Sequence, residues 1–251
     1  SLVVDGMFGI GLKEALTGNR SELVETVNTF SCPVLALDVP SGLNADTGNV
    51  VGQDAVAIKA THTITFLADK PGLHTGKGRD YAGQVHVAPL DVDKKYFPET
   101  RCWLNSPKLF SRLLAPRLHD THKGSYGRIA IVGGADGMAG APVLAARTAL
   151  YTGSGLCYAV YLKNQPVYDP VTPELMFRAA HQYDFSSDVI VIGPGLGKSP
   201  VAREYVEKTI ESGKPALFDA DALNILAESV ELQESLADRS PPSVITPHPL
   251  E

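Results

Sequence analysis

Arg128-Ile129-Ala130-Ile131-Val132 runs directly into Gly133-Gly134-Ala135-Asp136-Gly137-Met138-Ala139-Gly140-Ala141-Pro142, and from there into a stretch rich in Ala and Leu that ends at Tyr151. The short β-branched run reads as a buried strand. The Ala141–Tyr151 stretch reads as a helix closed near Gly153. Pro142 suits the first helical turn, where its missing N–H removes no bond. Between strand and helix, the glycines let backbone N–H groups converge on an anion at the helix N-terminus. A flexible connector is the plain alternative, but such glycine density directly before a helix favours a ligand.

The same alternation extends in both directions. Val34–Val39, Thr63–Leu67 and Gln84–Ala88 read as strands before this unit, and Val3-Val4-Asp5 as the end of another. Val189–Ile192, Ala216–Phe218 and Val244–Ile245 read as strands after it. Strand-sized apolar runs separated by helical stretches imply βαβ units and an α/β fold with parallel sheets. Ser21–Phe30 reads as a helix with Ser21 as N-cap and Glu22 and Glu25 in its first turn. Lys94–Lys123 breaks the pattern with Pro98, Pro107, Pro116 and the only Trp, Trp103. A domain junction is expected there, near residues 100–105, giving domains 1–100 and 105–251.

Composition bounds the function. With 251 residues, 44% hydrophobic and 20% charged, the chain can bury a sizeable core. A net charge of −6 without any Lys/Arg run argues against a nucleic-acid surface and a polybasic membrane patch. No apolar run approaches the ~20 residues of a membrane span. Cys32, Cys102 and Cys157 form no Cys-x-x-Cys pair, which points to reduced thiols and a cytoplasmic setting. Both ends read as cut, so an internal segment of a longer protein is expected; whether Leu250-Glu251 is native stays open.

Candidate chemistry lies at strand ends. In the first part, Asp5-Gly6-Met7-Phe8-Gly9-Ile10-Gly11-Leu12 is glycine-rich but lacks the dinucleotide fingerprint spacing; Asp5 is a ligand or a turn-forming residue. Leu37-Asp38-Val39-Pro40-Ser41-Gly42 puts an acid where open α/β sheets place their sites, with a strand-ending turn as the alternative. In the second part, Ile192-Gly193-Pro194-Gly195-Leu196-Gly197-Lys198-Ser199 is not a phosphate-binding Walker loop, because Ile192 stands where glycine is needed. Asp221 is expected to cap the following helix rather than act in catalysis, and Asp219 and Asn224 are candidates to line a pocket. Pro247 and Pro249 hold His248 as a positioned, exposed ring. His119 and His122 lack a third ligand and are rejected as a metal pair.

Taken in order, Asp5–Leu12, Asp38–Gly48, Thr61–Phe66, Lys70-Pro71-Gly72-Leu73 and Ala82–Val85 resemble the second half of NAD(P)H-hydrate epimerase, over residues 1 to about 95. His122–Gly127, the 133–142 loop and helix, Pro173–Met176, Ile192–Gly197, Asp219–Asn224 and Thr246–Pro249 resemble the ADP-dependent NAD(P)H-hydrate dehydratase, from about 105 to 251. The resemblance implies the C-terminal half of a Rossmann-like epimerase domain followed by the N-terminal part of a ribokinase-like domain. Its implied activities are epimerisation of R/S NAD(P)H hydrate and ADP-dependent dehydration of the S form to NAD(P)H.

By the same resemblance, Asp5 and Ser41 match potassium ligands. Gly9, Ile10, Gly11, Leu12, Lys13, Glu14, Ala15 and Asp38 match substrate-binding positions, with Asp38 also the acid/base for inversion at the hydrated ring carbon. Ala141, Gly195 and His248 match hydrate-binding positions of the dehydratase. ADP, K+ and Mg2+ are the implied cofactors and NAD(P)H hydrate the implied substrate; a homo-oligomer is left open. Two rivals stand beside this: a ribokinase-like vitamin kinase of the hydroxymethylpyrimidine type, and a nucleotide-binding segment without turnover.

Overall fold

The computed structural model describes residues 1–114 and 116–248. Pro249, Leu250 and Glu251 lie outside the described residues. The chain divides into two compact units, Ser1–Ala115 and Pro116–Glu251.

The first unit is a parallel sheet of β1 (Val3–Asp5), β2 (Val34–Leu37), β3 (His62–Phe66) and β4 (Gln84–Ala88), each strand beside its predecessor in sequence. Register runs Asp5↔Ala36, Leu37↔Ile64 and Phe66↔Ala88, so the carboxyl ends lie along one edge. Helix α1 (Asn19–Asn28) buries Val24 and Val27 against Val34, Ala36 and Ile58. Its N-cap is Gly18, not Ser21. Ser21 sits inside the first turn and its hydroxyl donates back to the Gly18 carbonyl at 2.8 Å, so it satisfies no helix-end N–H. Single helical turns α2 (Gly78–Tyr81) and α3 (Pro107–Phe110) complete the unit's α segments.

The second unit is an all-parallel six-stranded sheet in the order β10-β9-β8-β5-β6-β7. Its strands are β5 (Arg128–Gly133), β6 (Leu156–Tyr161), β7 (Met176–Ala179), β8 (Val189–Ile192), β9 (Ala216–Asp219) and β10 (Ser243–Thr246). Helix α4 (Gly140–Tyr151) follows β5, α5 (Pro200–Glu211) follows β8, and α6 (Asp221–Ala227) and α7 (Val230–Ala237) follow β9. Strand side chains alternate between faces. Ile131 accordingly packs with Ala146 of α4, whereas Ala130 and Val132 pack with Val206, Ala222 and Leu232 from α5, α6 and α7. Both faces are covered, which is why β5 and β8 read as unbroken apolar runs.

The chain leaves β5 toward β6 on one side and returns through β8 on the other. The strand order therefore reverses at β5, and a crevice opens above its carboxyl end. Gly193 permits this geometry: its φ is 127°, and a side chain there would collide with the Asp219 carbonyl at the end of β9.

Candidate functional site

In the first unit, the loops after β1, β2 and β3 bring two groups of residues together. Ser41 Oγ donates to Asp5 Oδ1 at 2.6 Å, and the Ser41 amide donates to Asp5 Oδ2 at 2.8 Å. The Phe8 amide donates to Ser41 Oγ at 3.0 Å, and the Phe8 carbonyl lies 3.3 Å from the same oxygen. Asp5 is 3% exposed and Ser41 fully buried. The Met7 amide also lies within reach of Asp5 Oδ1, at 3.3 Å, so the buried Asp5 carboxyl is held by hydrogen bonds from the chain itself, with the Ser41 hydroxyl and the Phe8 carbonyl as neighbouring oxygens. That donor set fits an alkali cation and suits a thiophilic metal poorly.

Asp38 directly follows β2 with φ at 70°, a conformation disfavoured for a side chain carrying Cβ. Its amide donates to the Ile64 carbonyl at 2.8 Å, which locks the turn onto β3. Lys70 Nζ lies 2.9 Å from Asp38 Oδ1 and is itself held by Thr65 Oγ1 at 2.7 Å and the carbonyls of Phe66 and Ala68 at 3.0 and 3.1 Å. The Thr65 hydroxyl also donates to Asp38 Oδ1, at 3.4 Å. Gly9 lies against the carboxylate, since a Cβ there would be 3.1 Å from Asp38 Oδ2. Of the remaining loop positions, Leu12 and Ala15 are half-buried, whereas Ile10, Gly11, Lys13 and Glu14 are exposed. The sequence reading gave Lys70 no role. Its only signal was a Lys-Pro pair just beyond a strand end.

In the second unit, Ala141 is the second residue of α4 and meets Gly195. A Cβ on Gly195, at φ 59°, would sit 2.7 Å from the Met138 carbonyl and 3.3 Å from Ala141 Cβ. The Ala135 amide donates to the Gly195 carbonyl at 2.7 Å, tying the two glycine loops together. Asp221 does not cap α6. The cap position is Ala220 at φ 48°, and the Asp221 carboxylate instead accepts from the Gly197 amide at 2.7 Å. Asp219 accepts from Thr246 Oγ1 at 2.7 Å, joining the ends of β9 and β10. The structure brings Ala141 and Gly195 into contact; His248 is exposed and follows β10, the outermost strand and the third from β5, on the carboxyl side of the sheet. Farther along α4, Arg147 grips the buried Asp169 with both ends of its fork, at 2.7 and 2.5 Å, which holds the Asp169 carboxyl down at about 2. Burial pushes the Cys157 thiol up to about 12, so it is packing material and not a nucleophile.

Two family models match the chain. One described as YjeF-related protein N-terminus matches residues 1–72, and one described as NAD(P)H-hydrate dehydratase matches residues 129–251. The bifunctional NAD(P)H-hydrate repair enzyme Nnr of Escherichia coli (strain K12) is 40% identical over 259 residues, covering 99% of this chain and 48% of that protein. Its namesake from Coxiella burnetii is 39% identical over 262 residues, covering 99% of this chain and 51% of that protein. A solved structure of ADP/ATP-dependent NAD(P)H-hydrate dehydratase from Bacillus subtilis, co-crystallized with ATP/Mg2+, shares 27% identity with a TM-score of 0.43, over 53% of this chain and 48% of that one. The chain spans about half the length of the curated relatives it matches.

Proposed function

We propose, on the premise that this chain joins a YjeF-related region to an NAD(P)H-hydrate dehydratase region as the bifunctional NAD(P)H-hydrate repair enzymes do, that its two units serve two steps of one repair. The first unit interconverts the R and S forms of NAD(P)H hydrate. The second takes part in ADP-dependent dehydration of the S form to NAD(P)H. The observation that carries this reading is the match along 99% of the chain to proteins named for both activities.

The geometry supports named roles. Asp38 is the acid/base at the hydrated ring carbon, and Lys70 fixes the carboxylate's position. The Gly9–Ala15 loop lies beside that carboxylate at Gly9 and gives the ligand an open edge. Asp5, Ser41 and the Phe8 carbonyl would hold a potassium ion, which would supply fixed positive charge beside a phosphate-bearing ligand. In the second unit, Ala141 and Gly195 form a wall without side chains long enough to block a planar ring, and His248 offers a hydrogen-bonding ring on the carboxyl side of the same sheet. Magnesium finds no cluster of three acidic, His or Cys ligands among the described residues, so no step is assigned to it.

The test is an assay of the intact protein on hydrated NADH and NADPH with ADP. Recovery of the reduced-nicotinamide absorbance from both epimers is expected. Consumption of ADP with a vitamin alcohol, and none with the hydrate, would sink the reading.

A further inference from the structure

A cavity of about 450 Å³ opens beside the Ala141–Gly195 contact, at the reversal of strand order. Its apolar wall is formed by Ala135, Leu162 and Val201, and its polar side chains are Asp136, Lys163, Lys198 and Ser199, whose hydroxyl is taken up by the Ala202 amide. These residues come from the loops after β5, β6 and β8 and from the first turn of α5. We propose that this cavity takes a phosphate-bearing part of the hydrated dinucleotide, with Lys163 as its principal cation; the inference rests on the dehydratase reading of the second unit.

Three observations support it. The cavity is continuous with the hydrate wall: Ala135, which lines it, donates to the Gly195 carbonyl, and Gly197 lies so near that a Cβ there would be 3.1 Å from Ala135 Cβ. A ligand touching Ala141 and Gly195 therefore has the cavity as its next surface. The charge is available on one lysine and committed on the other. Lys198 lies 2.9 Å from Glu228, whereas Lys163 is exposed and forms no side-chain hydrogen bond or ion pair among the described residues. The remaining lining suits the rest of such a ligand. Asp136 repels a phosphate and accepts from ribose hydroxyls, and Leu162 with Val201 offers an apolar face to a purine. A phosphate consequently sits on the Lys163 side, as a point-charge contact rather than a fork.

The dinucleotide carries phosphate in its bridging diphosphate, and NADPH hydrate carries a second kind on its ribose. Steady-state dehydration of both hydrates at saturating ADP, in the intact protein and in Lys163→Ala and Lys163→Arg, separates the sources. For Lys163→Ala a rise in KM of roughly five-fold with unchanged kcat is expected, as for an exposed charge contact, with Lys163→Arg near wild type. A rise confined to NADPH hydrate assigns the ribose phosphate; an equal rise for both assigns the diphosphate. Unchanged KM for both hydrates overturns the proposal, as does a rise confined to the KM for ADP when ADP is varied at saturating hydrate. A wild-type protein that dehydrates neither hydrate removes the dehydratase reading, and this inference with it.

Discussion

The Asp38–Lys70 pair is the centre of the chemistry proposed for the first unit. Four oxygens surround one ammonium, which fixes Lys70 and through it the carboxylate. Lys70→Met is expected to lower kcat for epimerisation at least ten-fold, about 1.4 kcal/mol of barrier, with KM changing less. Parallel loss of kcat and folded protein, followed by circular dichroism, would argue for a structural role instead. In the second unit, His248→Ala should weaken hydrate binding several-fold, in line with ~0.5–1.5 kcal/mol for one hydrogen bond, and leave melting almost unchanged because the ring is exposed. A large melting drop with unchanged affinity would refute that assignment. At this scale the sequence was partly readable. Asp5, Ser41 and Asp38 announce themselves as polar residues at strand ends, but Lys70 acts through space across a turn, and a Lys-Pro pair looks like any solvated bend. Asp221 looked like a cap because Asp before a helix normally is one; it is instead the first residue of α6, and its carboxylate accepts from the Gly197 amide.

Strands and helices were legible where one force decides them. Gln84–Ala88 and Val189–Ile192 match β4 and β8 end to end, since turn residues bracket short apolar or alternating runs. β6 and β7 escaped, although Leu156–Tyr161 carries the strand-favouring Tyr158, Val160 and Tyr161; Met176–Ala179 carries Arg178, and pairing to β6 makes it a strand. Between elements, the Arg147–Asp169 pair ties α4 to the segment leading into β7. Asp169 is held near 2 when folded and returns toward ~3.9 when unfolded. Its contribution is therefore present above about pH 4 and is lost as pH falls toward 2. Urea unfolding of the wild type between those values should show stability falling with acid, and Arg147→Met should flatten that fall while lowering stability at neutral pH. An unchanged slope in the variant would show that Asp169 does not carry the acid sensitivity.

At the scale of the whole chain, the alternation of strands and helices foretold two parallel α/β units, because each βαβ step forces the next strand to run the same way. The reversal of strand order at β5 was not foretold, since it depends on which side of the sheet a helix returns to. Asp38 belongs to one unit and Ala141, Gly195 and His248 to the other. Asp38→Ala in the intact protein should therefore abolish epimerisation and spare dehydration of the S form, measured separately on resolved epimers; equal loss of both would contradict two independent sites. No helix among the described residues is long and apolar enough to cross a membrane. The two strand orders also differ in what they ask of a chain still being synthesised. In the first unit β2, β3 and β4 each pair with the strand made just before them, a sequence of local pairings. In the second, β5 must wait some 60 residues for β8, as the Arg128–Asp188 contact measures. Until β6 and then β8 are made, a strand as apolar as Ile129–Val132 keeps at least one unpaired edge, the kind of surface on which stray strands pair.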